Sequence, residues 1–153
     1  MTDADAILDR AGFDPEESIL TRRQAEVLAL RERGLTQSAI AEQFGTSRAN
    51  VASIESSARE NVRKAHETIA VAETLRAPVQ IDVEAGTDLY DVPPAVFEAC
   101  DDAGVKVPHT APELLSTVSE AAGDAVVGRE IRVEILVSVS AEGSVRVRRI
   151  SDD

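Results

Sequence analysis

TQSAIAEQFGTSRANVASI, residues 36–54, is the stretch on which the reading of this chain turns. Thr36 stands where an N-cap would, and Ile40, Ala41 and Phe44 recur at helical spacing, which predicts a two-turn helix with one apolar face. Gly45 follows as a left-handed terminator, and Ser47 is placed to cap a second helix whose first inward residues are Val51 and Ile54. Ala41 is small where two such helices would cross most closely. Two short helices meeting at a sharp angle make a helix-turn-helix.

The motif extends in both directions. Upstream, Thr21 and Gln24 form a capping box with Leu20 just outside it, Val27, Leu28 and Leu30 supply a buried side, and Gly34 ends the helix. Arg22, Arg23, Arg31 and Arg33 flank that core, and Arg22 or Arg23, near the helix start, is within reach of a phosphate. Downstream, Val51, Ile54, Ala58, Val62, Ala65, Ile69 and Ala72 share one stripe, with no Gly or Pro before Pro78. One long third helix is expected from about Arg48 to Glu73, roughly 39 Å at the α-helical rise. The two preceding helices are too short to cover all of it, so its distal part is expected to pack on a second copy, giving a homodimer; the N-terminal arm and the C-terminal domain are the other candidate partners.

With these residues in view, LTRRQAEVLALRERGLTQSAIAEQFGTSRANVASIESSARENVRKA (20–65) resembles the helix-turn-helix of sigma-factor region 4 and of response-regulator DNA-binding domains. Together with PVQIDVEAGTDLYDVP (78–93), the chain from Leu20 onward is most similar to the archaeal Tfx family of DNA-binding transcriptional regulators. The resemblance implies double-stranded DNA as the partner. It departs from the sigma-like pattern at Ala39, where an acidic residue usually completes a capping box with Thr36.

The formal net charge of −12 opposes binding to a polyanion, but its distribution does not. Residues 1–19 carry one base and six acids, residues 20–76 nine bases and seven acids, and residues 77–153 six bases and fifteen acids, leaving the helical module with a small positive charge. Lysine occurs only at Lys64 and Lys106. Abundant carboxylates with few lysines suit a halophilic protein that must stay soluble in concentrated salt. The Asp-rich beginning lacks the pattern of a secretion signal and no run approaches a membrane span, so a cytoplasmic location is expected. The single Cys100 excludes an intrachain disulfide and reads as a small buried hydrophobe.

Residues 1–19 read as an acidic N-terminal arm, partly disordered, with a helical turn or two around Ala6 to Ala11. Residues 20–76 form the helix-turn-helix domain with its extended helix, and residues 77–153 a small domain for regulation or assembly. In that last part Val79, Ile81 and Val83 alternate as a strand, and a helix starts at Asp91, Pro93 and Pro94 and ends at Gly104. Val105 to Val107 reads as a short strand, Thr110 and Glu113 box a helix that Gly123 ends, and Ile131 to Val139 turns through residues 141–143 into Val145 and Val147. The fold class is α+β, an all-α N-terminal part followed by β-α-β-α-β-β.

Viewed down the second helix of the motif, Ala49, Ala52, Ser53 and Ser56 point outward, with Arg48 and Asn50 at the entrance. Arg48 suits a bidentate pair with guanine, Asn50 and the serines suit base edges, and the alanine methyls suit thymine. Thr36, Gln37 and Ser47 lie at helix N-termini, where amides and hydroxyls favour phosphate, while Arg59, Arg63 and Lys64 follow along the helix. Nothing resembles a nucleophile elbow, a Gly-rich phosphate loop or a Cys/His cluster, so no enzyme activity and no cofactor are expected. Asp88, Asp91, Asp101, Asp102 and His109 assemble into a metal site only on paper, since their spacing does not converge oxygens. His66 and the hairpin arginines Arg146, Arg148 and Arg149 read as solvated or paired surface charges. The expected function is sequence-specific transcriptional regulation through the major groove. The alternatives are a module that docks on transcription machinery without reading DNA, and a regulator that senses a ligand through its C-terminal domain; no effector is nameable from sequence.

Overall fold

A computed structural model describes residues 2–150 and divides the chain into two compact units, the first ending at Ile69 and the second beginning at Ala70. The first holds helices α1 (Ala4–Ala11), α2 (Arg22–Glu32) and α3 (Gln37–Phe44) and the larger part of α4 (Arg48–Arg76), which runs on into the second. Val27, Leu30, Ile40 and Val51 are fully buried at its centre, and Ala41 is buried with them.

Within the N-terminal stretch the helical turn expected around Ala6 to Ala11 is a helix, Ala4–Ala11, that packs on the motif. Asp3 caps α1 by accepting from the amides of Asp5 and Ala6, and Ala4 and Leu8, one helical turn apart, are both buried. Ala4 joins the core of the motif, while Leu8 packs with Ala25 and Ala29. The acids stay on the wet side, where Asp5 pairs with Arg22 at 2.8 Å. Ile7, partly buried, packs against both apolar groups, so the short helix is docked along one apolar face.

Both capping boxes form. The Thr21 hydroxyl accepts from the Gln24 amide at 3.2 Å and the Gln24 side chain returns the bond at 3.0 Å; Thr110 and Glu113 do the same at the start of α6 (Ala111–Ala122). Thr21→Ala is expected to lower stability by about 1 kcal/mol. Denaturant unfolding checks this, and an unchanged midpoint would show that the box contributes nothing.

In the second unit, β1 (Val79–Val83), β4 (Ile135–Val139) and β5 (Val145–Arg149) form an antiparallel sheet in the order β1-β4-β5, with Ile81 opposite Val137 and Val137 opposite Val147. Val79, Val83, Ile135, Val137 and Val139 are buried on one face against α5 (Val92–Ala103) and α6, which contribute Val92, Val96, Cys100, Leu114 and Val118. Burial, and then the neighbouring Asp101 charge, push the Cys100 thiol pKa up, so it behaves as an inert hydrophobe. The class is α+β, with six α-helices and a small C-terminal sheet among the described residues.

Two details of the strand order differ from expectation. Residues 105–107 do not pair: the Val105 amide turns back to the Cys100 carbonyl at 2.9 Å, and Val105 and Val107 pack into the core from an extended link. Their alternation reports burial on one side rather than a ladder. The run from Ile131 to Val139 is also broken, because Glu130–Ile131 (β3) pairs with Val126–Val127 (β2) in a separate two-stranded ribbon. Val133, at the break, is 38% exposed.

Candidate nucleic-acid interface

Thr36 starts α3 by accepting from the Ala39 amide at 3.1 Å, and with alanine at that position no side chain returns the bond. Gly45 closes the helix at φ +68°, the left-handed region that lets the Thr46 amide reach back to the Ala41 carbonyl at 2.9 Å. Ser47 then opens α4 by accepting from the Asn50 amide at 3.1 Å, and Asn50 Nδ2 donates to Thr46 Oγ1 at 3.0 Å. The turn is therefore held by its own polar side chains. Val51, fully buried, and Ile54, half-buried, fix the rotation of α4.

That rotation leaves Arg48, Ala49, Asn50, Ser53 and Ser56 exposed and Ala52 half-buried. Among the described residues Arg48 has no carboxylate partner, so its guanidinium is available to a ligand. Lys64 is exposed, and the other sequence-predicted residues are engaged within the motif. The hydroxyls of Thr36 and Ser47 serve as caps, Gln37 donates to Glu55 at 3.0 Å, Arg59 bonds Glu55 at 2.8 Å, and Arg63 holds Glu60 through two bonds of 2.8 and 2.9 Å. The Arg63 bond keeps the exposed Glu60 carboxyl below its ordinary pKa. Arg22 is paired with Asp5, and Arg23 lies 3.4 Å from Glu26 with its guanidinium 4.2 Å over the Phe44 ring.

Glu55 escaped the sequence reading. It sits in the stripe of α4, four residues after Val51 and three before Ala58, and it is only 6% exposed. Arg31 Nε approaches its Oε1 at 2.9 Å while Arg31 Nη1 donates to the Leu35 carbonyl. Burial works against ionisation here, but the bonds from Gln37 and Arg59 and the charges of Arg31 and Arg59 prevail, and the carboxyl pKa lies below its usual value. An acid at an inward helical position was the available signal; its partners at positions 31 and 37 are brought to it only by the fold.

The five residues assembled on paper as a metal site are used otherwise or stand apart. Asp88 is held by Arg129 at 2.6 Å and by the Tyr90 amide at 2.9 Å, His109 lies 3.5 Å from Glu113, and among the described residues no group of three or more His, Cys, Asp or Glu is placed to hold a metal ion. No helix of the described residues is long and apolar enough to cross a membrane.

Residues 18–64 match the family profile of sigma-70 region 4, and residues 65–147 match that of the C-terminal part of the DNA-binding protein TFX. A candidate transcriptional regulatory protein of Haloarcula marismortui is 53% identical over 95% of this chain and 92% of its own length, in keeping with the halophilic reading of the composition. One from Methanocaldococcus jannaschii is 39% identical over 86% of this chain and 96% of its own, and the DNA-binding protein Tfx of Methanothermobacter thermautotrophicus is 32% identical over the same shares.

Proposed function

The chain belongs to the Tfx family of DNA-binding transcriptional regulators, and we propose that it reads duplex DNA by laying the exposed face of α4, from Arg48 to Ser56, in the major groove. The observation that carries this is a capped helix start, seated on the buried Val51, whose outer side is small and polar and whose one cation, Arg48, is unpaired among the described residues. Small side chains let the helix backbone approach base edges, and the free guanidinium supplies a bidentate donor to guanine. Thr36, Gln37, Ser47, Arg59 and Arg63 border that face and are assigned to the phosphates, fixing register without carrying sequence information. The protein acts in the cytoplasm, where its DNA lies; residues 20–76 bind and residues 77–153 regulate or assemble.

Two copies bind together through the distal part of α4. Ile69 is 53% exposed, and Val62 and Ala65 on the same stripe are only half-buried, so a second α4 would cover apolar surface that the chain leaves wet. Selection from a pool of random duplexes, run in molar potassium chloride and in dilute buffer, tests the whole reading. The expected product is an inverted pair of half-sites about one helical turn, or a multiple of it, apart. Failure to enrich any sequence at either salt concentration would refute DNA reading, whereas a single unrepeated site would refute the dimer alone.

A further inference from the structure

The geometry points to Glu55 as a positioning residue that orients Arg59 and Gln37, from two different helices, toward the DNA backbone; the inference rests on the DNA-binding reading above. Among the described residues Glu55 is the one charged side chain that is buried. Its carboxylate collects Arg31 from α2, Gln37 from the first position of α3, and Arg59 from the next turn of α4. Packing does not call for a carboxylate there. Exchanging a buried ion pair for apolar side chains of similar volume is often neutral or stabilising, and Val51, Ile54 and Ala58 already make the surrounding stripe apolar.

What the carboxylate supplies is direction. Arg59 bonds it through Nε, at 2.8 Å, and not through the end of the guanidinium. A guanidinium is planar with its donors in a rigid fork, so pinning Nε sets the plane and leaves the edge formed by Nη1 and Nη2 free, on a side chain that is 52% exposed. That edge matches the two oxygens of a phosphate. Gln37 is tethered to the other carboxylate oxygen at 3.0 Å, which ties the start of α3 to the same point. Both groups are thus held before a phosphate arrives, and the entropy of fixing a long side chain is not lost on binding.

The test is a salt titration of binding, using the duplex enriched by the unaltered protein. Glu55→Gln keeps the shape and removes the charge. It is expected to remain folded by circular dichroism, to bind about tenfold more weakly at fixed salt, and to lose about one phosphate's worth of slope in log affinity against log salt. Arg59→Ala is expected to lose the same slope, and the double variant to lose no more than Arg59→Ala alone. A Glu55→Gln protein with a lower melting point but unaltered slope would reduce Glu55 to a structural role, and tighter binding would mean that the carboxylate only repels DNA; either overturns the inference. Should Glu55→Gln fail to fold, Arg59→Lys carries the test. Its ammonium has three freely rotating donors and no planar fork, so a bond to Glu55 cannot aim it at a phosphate; the slope of Arg59→Ala is expected and the unaltered slope would overturn the proposal. If Arg59→Ala keeps full slope while Arg48→Ala loses selectivity, positioning fails and DNA reading stands; if neither variant alters binding, both fail together.

Discussion

Replacing Gly143 by alanine is expected to destabilise the second unit by about 2–5 kcal/mol, from a strained backbone conformation and from overpacking together. Gly143 closes the turn between β4 and β5 at φ +89°, with its amide donating to the Ser140 carbonyl at 3.0 Å, and it is buried. A Cβ there would stand 2.4 Å from the Lys106 carbonyl oxygen and 2.7 Å from Pro108 Cδ. Neither neighbour is the far end of a flexible side chain. The link 105–108 would have to move off the turn, and Val105 and Val107, which pack into the core on either side of Lys106, would move with it. Gly104→Ala is the matched control, since Gly104 also has a positive φ, +71°, but nothing lies within 4 Å of its virtual Cβ. Its cost is the left-handed conformation alone, about 1–2 kcal/mol. Denaturant unfolding of the two variants, followed by a probe within residues 70–150, separates the terms; equal losses would show that the close approach of residues 106 and 143 is not a constraint.

The second large effect is on binding. Arg48→Ala is expected to weaken binding to the preferred duplex by about 1–3 kcal/mol and to relax selectivity at one position of each half-site, with no change in unfolding midpoint. Stability is spared because Arg48 is exposed at the first position of α4 and, among the described residues, pairs with nothing. Arg63→Ala makes the useful contrast. Arg63 is held by Glu60 and lies more than four turns further along the helix, so its loss is expected to weaken all duplexes alike. Binding measured on the enriched duplex and on single-position variants of it distinguishes the two patterns. Undiminished selectivity in Arg48→Ala would remove the guanine contact from the proposal, even if affinity fell.

Much of this molecule was legible from residues near one another along the chain. Thr21 with Gln24, Thr110 with Glu113, Thr36, Ser47 and Gly45 all act on backbone groups within a few positions, and each was identifiable by type and spacing. The stripe of α4 and the alternation of β1 and β5 are likewise periodic signals, which survive without knowledge of any partner. The misreadings occurred where a local pattern admits more than one partner. Val105 and Val107 alternate as a strand would, but the sheet order places no neighbour beside them. Ile131 and Ile135 share a rhythm and belong to different sheets.

The chain's own order of residues establishes the bent helical pair, its caps, the small polar face of α4 and the α+β class, because hydrogen-bond capping and helical or strand periodicity are short-range and need no folded context. Assembly of the helices and strands settled the rest: the docking of α1 through Ala4 and Leu8, the seating of Gly143 against Lys106, and the pairing of Arg22 and Arg31 with carboxylates on other helices, whereas Arg59 and Arg63 find theirs within α4 and Arg48, among the described residues, finds none. The physical reason is range. A buried carboxylate must be met by donors wherever they lie in the chain: Arg59 stands one turn from Glu55 on the same helix, but residues 31 and 37 become its neighbours only when the helices pack.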